Sequence, residues 1–135
     1  MIQRTLELPA LPRGVHPITD AVRAVIAQSE LRVGLCNVFI HHTSASLLIQ
    51  ENADPDVRRD LEAFFARLIP DGDPIYRHVD EGPDDMPAHV RAAVTPTSLN
   101  IPIIDGRLGL GQWQGIFLWE HRLSPRPRRV TVTLT

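Results

Sequence analysis

The 135-residue sequence predicts an α+β domain of about seven strands, with two or three helices set between the early strands. Three observations carry that reading. Both ends of the chain alternate apolar and polar residues with the period of a half-buried strand. Helical periodicity is confined to the first two thirds, and the last third holds only strand-like segments separated by turn residues. A doubly wound sheet would instead alternate strand and helix throughout. No repeat or linker composition divides the chain, so residues 1–135 are expected to form one domain.

In order, Ile2, Leu6 and Leu8 share one parity and Gln3, Thr5 and Glu7 the other, a strand that Pro9, Pro12 and Gly14 break. Thr19 or Asp20 can cap a helix in which Val22, Val25 and Ile26 fall at i, i+3 and i+4, and Gly34 marks its exit. Residues 35 to 42 are apolar on both parities until two histidines, as in an interior strand. After the turn Thr43-Ser44, Ser46 to Gln50 can run back as its partner. Asp54-Pro55-Asp56 combines an N-cap, a proline at the first helical position and an acid at the positive dipole end. Val57, Leu61, Phe64, Phe65 and Leu68 then form an apolar stripe that Pro70 ends. Residues 70 to 87 are rich in Pro, Gly and Asp but hold Tyr76 and His78; loops of this length are uncommon and often functional. Ala88 to Val94 reads as a short helix with His89 in its first turn. Leu99, Ile101 and Ile103 alternate with Asn100 and Pro102, the proline favouring an edge or bulge, before the hairpin turn Asp105-Gly106. Trp113, Phe117 and Trp119 share a parity in the next strand, and Arg128 to Thr135 closes the chain with a clean alternation.

Composition narrows the function classes. A formal net charge of −2 argues against a general binder of nucleic acid or anionic membrane. All fourteen basic residues are Arg, which fits either a genomic bias or recognition of anions by the planar guanidinium fork. The single cysteine, Cys36, lies in an apolar run and reads as a buried small hydrophobe. The start of the chain has neither a charged n-region nor an apolar h-region, and no stretch approaches a membrane span, so a cytoplasmic location is expected. The glycine-rich segment from Gly106 to Gly111 matches neither a P-loop nor a dinucleotide fingerprint; no nucleotide or flavin cofactor is expected.

Six histidines remain, and three have informative neighbours. His42 ends an apolar strand beside Thr43 and Ser44; His78 sits in an acidic loop with Glu81; His89 follows Asp84-Asp85-Met86-Pro87. Imidazole suits zinc, three protein ligands with an open position mark a catalytic site, and nearby carboxylates can orient the rings. The spacing is not diagnostic, there being no HExxH or paired CxxC, and scattered histidines more often have individual structural roles. Glu51 could be a general base or a solvated loop acid, and Trp113 a stacking platform or a core or interface residue.

Several separated motifs, read in order, resemble the YjbQ family. They are His42-Thr43-Ser44-Ala45-Ser46, Glu51-Asn52-Ala53-Asp54-Pro55, Tyr76 to His78 with Glu81-Gly82, and Asp84-Asp85-Met86-Pro87 with His89. Ser98, Ile101, Ile103, Gly106, Gly111, Trp113, Gln114 and Ile116 follow at the family's spacing, then Glu120-His121-Arg122. Two departures are Gln112, where the family usually has threonine, and Val79, where an aspartate commonly follows the loop histidine.

The resemblance implies two packed, mostly antiparallel β-sheets with helices alongside, assembled as a homotrimer. It also implies a low-level, secondary thiamine-phosphate synthase, joining hydroxymethylpyrimidine pyrophosphate to thiazole phosphate. Carried over residue by residue, His42, His78 and His89 are expected to converge on a divalent metal (zinc, or magnesium or manganese brought with substrate) or on a substrate phosphate. Glu51, Glu81 and Asp85 are expected to be the catalytic carboxylates. Thr43, Ser44, Asn52, Arg107, Trp113, Gln114 and His121 are expected to contact the phosphorylated substrate. Two other readings stand beside it: a metal-dependent hydrolase of a phosphorylated metabolite, and a non-catalytic trimeric module that binds metal or metabolite.

Overall fold

A computed structural model describes residues 1–135 as two antiparallel sheets and three helices. In chain order the elements are β1 (Ile2–Leu8), β2 (Gly14–Pro17), α1 (Thr19–Ala27), β3 (Val33–Ile40), β4 (Ala45–Glu51), α2 (Pro55–Leu68), α3 (Asp85–Ala93), β5 (Ser98–Ile104), β6 (Arg107–Leu108), β7 (Gln114–Glu120) and β8 (Arg128–Leu134). One sheet has the order β1-β8-β3-β5-β6 and the other β2-β7-β4. No helix is long and apolar enough to cross a membrane.

The core follows from strand periodicity. Cys36, Val38 and Ile40 of β3, Ile101 and Ile103 of β5, and Val130, Val132 and Leu134 of β8 face inward. There they meet Leu47 of β4, Ile116 and Leu118 of β7, and Val22, Val25 and Ile26 of α1. The central strand β7 is buried on both faces. Ile116 and Leu118 enter this core, while Phe117 and Trp119 face α2, where Phe65 packs edge-on against Trp119 at 4.7 Å and Arg58 lies over Phe117.

Several local expectations need correction. Gly14 to Pro17 breaks β1 but also forms a strand, β2, paired with β7 from Gly14↔Glu120 to Pro17↔Phe117, which brings the about seven expected strands to eight. Thr19 does not cap α1 through its side chain, nor does Asp20; the Thr19 hydroxyl instead accepts from the Ile116 N–H at 2.9 Å, tying the helix to β7. Gly34 lies inside β3, where an added Cβ would fall 2.2 Å from the Thr135 carbonyl oxygen, so close strand approach explains it better than a helix exit. β4 does not return beside β3. It crosses at Thr43-Ser44 into the other sheet and pairs with β7, while β3 pairs with β5 and β8.

The α2 cap is as expected, with the Asp54 carboxylate accepting from the Asp56 N–H at 2.9 Å and Pro55 in the first turn. The apolar stripe on α2 is only partly covered, Leu68 being 60% exposed. The third helix begins at Asp85, three residues before Ala88, because Pro87 falls in its first turn, where no intrahelical N–H is needed. Trp113 precedes β7 and is 58% exposed. Asp105 and Gly106, at φ 51 and 76, form the tight turn expected between β5 and β6.

The packing predicts unequal costs for two leucine truncations. Leu118→Ala, at a fully buried site, is expected to lower unfolding stability by about 2–5 kcal/mol. Leu68→Ala should change it by no more than about 0.5 kcal/mol. Denaturant unfolding of the two variants checks this, and equal losses would contradict the exposed face of α2.

Candidate functional site

The end of β3, the crossing to β4, the start of α3 and the loop from β7 to β8 enclose an open cleft of about 720 Å³. Its walls include His41, His42, Thr43, Ser44, Glu81, Asp85, His89, Arg122, Arg126, Arg128 and Arg129. Most of its lining residues are polar or charged, Phe39 and Ile40 being among the few apolar ones.

Helix α3 builds its acidic corner. Asp85 and His89 are one turn apart on the same helix face, and the loop before the helix folds His78 back onto them. Asp85 Oδ2 lies 2.7 Å from His78 Nε2 and 3.2 Å from His89 Nε2, and the two rings are 5.4 Å apart. The three donor atoms all fall within 4.8 Å of one another. Asp85 is held from behind. Arg122 donates through Nη1 to Asp85 Oδ1 at 2.8 Å, through Nε to Asp84 Oδ2 at 2.8 Å, and through Nη2 to the Glu81 carbonyl at 2.9 Å. One buried guanidinium thus fixes both carboxylates and the loop that carries His78.

The tautomer of His89 is set by its neighbour. Its Nδ1 lies 2.8 Å from the Thr43 carbonyl oxygen, which can only accept, so Nδ1 carries a hydrogen. In the neutral ring Nε2 is then a lone pair facing the Asp85 carboxylate. Such a pair of acceptors calls for a cation between them, a proton or a metal. An imidazole that donates its far N–H to a backbone carbonyl while presenting the other nitrogen is the usual arrangement of a metal-bound histidine. Ligand atoms about 2.0–2.1 Å from a tetrahedral zinc lie about 3.3 Å apart, near the 2.7 and 3.2 Å separations of Asp85 Oδ2 from the two ring nitrogens. His78, Asp85 and His89 therefore fit a divalent cation.

His42 lines the same cleft but is engaged differently. Its Nε2 accepts from the Arg129 backbone N–H at 2.8 Å, which leaves Nδ1 as a donor. Burial, then the charges of Arg128 and Arg129, hold its ring below the ordinary histidine value, so it is neutral at pH 7. Glu81 reaches the cleft with a carboxylate oxygen 4.0 Å from His78 Nε2. Thr43 contributes its carbonyl to His89, and the Ser44 hydroxyl accepts from Arg128 at 3.0 Å. Arg128 is itself neutralised by Glu120, its Nε donating to Oε1 at 2.7 Å.

Other candidates lie elsewhere. His121 is fully buried against Ser46, with Oγ and Nε2 2.8 Å apart; desolvation, then Arg91, Arg13 and Arg128, lower its pKa to about 2. Glu51 Oε2 accepts from the Asp54 N–H at 3.3 Å, Asn52 Nδ2 donates to the Gln114 carbonyl at 3.2 Å, and Gln114 Oε1 accepts from the Gly111 N–H at 2.7 Å. These residues, with Trp113, sit at the far end of β4 from Ser44, about 20 Å away at about 3.3 Å per residue. Arg107 pairs with Ile104, which pairs with Val33, so it lies a full β3 length, about 23 Å, from His42. One chain therefore does not bring Glu51, Asn52, Arg107, Trp113 or Gln114 to the histidine cleft.

Sequence reading underweighted Arg122, Arg126 and Arg129. The run Ser124-Pro125-Arg126-Pro127-Arg128-Arg129, with prolines alternating among basic residues, is the signal that could have drawn attention to the last two.

The comparisons come to the same fold. The family described as "UPF0047 protein YjbQ-like" matches residues 4–135. A UPF0047 protein of Synechocystis sp., sll1880, is 55% identical across 96% of this chain and 88% of its own length. UPF0047 protein YjbQ of Escherichia coli O157:H7 is 45% identical across 98% of this chain and 96% of its own. Among solved structures, a conserved hypothetical protein of Thermus thermophilus, TT1486, superposes with a TM-score of 0.87 at 38% identity, covering 98% of this chain and 99% of that one.

The Arg122 cluster sets an acid limit to stability. Burial opposes ionisation of Asp84, yet hydrogen bonds from Arg122 and the Leu123 N–H, with the Arg122 charge, outweigh it and hold the carboxyl below its ordinary value. Asp85 is likewise lowered: burial opposes, and bonds to His78 and Glu81 with the charges of Arg122 and His89 prevail. Carboxyls lowered in the folded state stabilise it fully above their unfolded value of about 3.9 and lose that effect as pH falls through the folded values. Melting temperature should therefore drop below about pH 4, and Asp84→Asn should be less stable at pH 7 yet lose less between pH 5 and 3. Thermal melts across that range check it, and parallel curves for the two proteins would contradict it.

Proposed function

The chain belongs to the YjbQ-like UPF0047 family, and from that membership and the cleft we propose that it acts on a phosphorylated small molecule with a divalent cation held by His78, Asp85 and His89. The finer form of the proposal is a low-level thiamine-phosphate synthase. The supporting observation is the His89 ring, whose Nδ1–H is committed to the Thr43 carbonyl while Nε2 faces a carboxylate that Arg122 keeps ionised.

In that reaction the thiazole nitrogen attacks the methylene carbon of hydroxymethylpyrimidine pyrophosphate while the carbon–oxygen bond to pyrophosphate breaks. No proton has to move first, so the protein's work is positioning and charge stabilisation. A bound zinc, magnesium or manganese ion would supply neutralisation of the departing oxygens. The chain's own residues do the rest. Arg122 keeps Asp85 ionised and Oδ2 aimed at the two rings. Thr43 fixes the face that His89 presents. Glu81, with a carboxylate oxygen 4.0 Å from His78 Nε2, adds negative charge beside the proposed cation.

One observation favours a second reading, hydrolysis of a phosphoester. Glu81 lies 4.0 Å from His78 Nε2, beside the proposed cation, where it could serve as a base for water. A binding module without turnover is the third outcome.

The homotrimer belongs to the same proposal. Val33, Leu35 and Ile104, 80%, 51% and 55% exposed, form an uncovered apolar area on the outer face of the five-stranded sheet, which a second copy could cover. Arg107 and Trp113 could then contact a substrate only from a neighbouring subunit. A cytoplasmic setting without nucleic-acid or membrane partners completes the reading, supported by the net charge of −2.

Calorimetric titration with zinc is expected to show one ion per chain, weakened at least about tenfold in His78→Ala and His89→Ala. Size exclusion with light scattering should give three times the 15.1-kDa chain mass for all three proteins. Pyrophosphate release from the two thiamine precursors, beside a phosphoester panel with and without zinc or manganese, separates synthase from hydrolase. Unchanged zinc affinity in both variants refutes the metal assignment.

A further inference from the structure

The charges lining the cleft are divided between its two ends. Arg122 is neutralised by Asp84 and Asp85, and Arg128 by Glu120. Arg126 and Arg129 line the same cleft and are paired with no carboxylate. Glu7, opposite Arg129 in the β1–β8 register, makes no ion pair with it. Arg126 Nε is buried without a hydrogen-bond partner. The backbone holds this residue in place: Pro125 precedes it, and Pro127 after it confines it to extended conformations. The restrained backbone reduces the main-chain entropy lost on binding, and the planar guanidinium presents its donors in a fixed fork. Beside it, the Arg129 backbone N–H consumes the lone pair of His42 Nε2, so the His42 ring offers the cleft a neutral donor at Nδ1.

We propose that Arg126, Arg129 and His42 form a phosphate-binding subsite at the basic end of the cleft, separate from the cation ligands at the acidic end. Its ligand is the dianionic phosphate of a phosphomonoester. Two unpaired guanidinium groups match its charge, and planar N–H forks match its oxygens. The cleft thereby selects a molecule whose terminal phosphate stands apart from the group handled at His78, Asp85 and His89. This inference rests on the proposed function only for the identity of that reacting group; anion binding at the basic end stands by itself.

The test is calorimetric titration of the full-length protein with inorganic phosphate and, in a second arm, methyl phosphate. Both arms are run at physiological ionic strength after treatment with a chelator. Measurable binding of methyl phosphate is expected, and Arg126→Gln and Arg129→Gln should each weaken it at least about tenfold, the loss of a charge-assisted hydrogen bond. The same two variants should bind zinc as the parent does. His89→Ala should lose zinc yet keep phosphate, so the metal reading and this one can fail separately. Arg59→Gln, on the exposed face of α2, should change neither. Because neither Arg126 nor Arg129 is in an ion pair, their removal strands no buried charge; matching melting curves exclude a folding defect, and Arg126→Lys should recover part of the affinity. The proposal is overturned if the parent binds neither phosphate, if the double Arg126→Gln/Arg129→Gln protein binds as the parent does, or if Arg59→Gln weakens binding equally. Binding of inorganic phosphate alone, without methyl phosphate, also overturns it as a substrate subsite.

Discussion

The bonds from one buried guanidinium hold the cleft together. Arg122, just past the end of β7, spans the two carboxylates at the start of α3 and the carbonyl of Glu81 in the preceding loop. Helix α3, the loop of residues 70–84 and the three-stranded sheet are thereby tied at one point. The alternative, burying Asp84 and Asp85 without a counter-charge, would be strongly unfavourable. Because Asp85 spends Oδ1 on Arg122, its Oδ2 is left for His78 and His89. The same ion pairs that stabilise the fold therefore shape the chemistry.

A second buried pair does comparable work on the opposite wall. Glu120 and Arg128 close the open end of the core between the sheets, and Arg128 also reaches the carbonyl and hydroxyl of Ser44. That contact holds the β3–β4 crossing, whose Thr43 carbonyl selects the tautomer of His89. The result is a cleft with a cation-seeking corner and an anion-seeking corner on rigid elements, suited to a substrate with spatially separated charges.

Much of the architecture is legible in the sequence where local rules decide. The alternation of Ile2 to Leu8 and of Arg128 to Leu134 becomes the paired strands β1 and β8, and Asp54-Pro55-Asp56 becomes the start of α2. Where long-range pairing decides, local reading fails. Nothing near Thr43-Ser44 distinguishes a hairpin from a crossing, yet β4 joins β7 by pairs 63 residues apart (Glu51↔Gln114) to 75 apart (Ala45↔Glu120). Pro17 disguises β2, which gains its strand pairing only from β7. Placing the helix after Pro87 hides the four-residue relation between Asp85 and His89, on which the site depends. The histidines themselves are visible in sequence, but the role of Arg122 exists only once β7 and α3 are packed together.

Anomalous scattering at the zinc edge from crystals of the zinc-loaded protein tests the central claim most directly. The account predicts one strong peak per chain within bonding distance of His78 Nε2, His89 Nε2 and Asp85 Oδ2, with Arg122 still on Asp85 Oδ1. A peak at other side chains, or none under saturating zinc with both rings still hydrogen-bonded to Asp85, would contradict it.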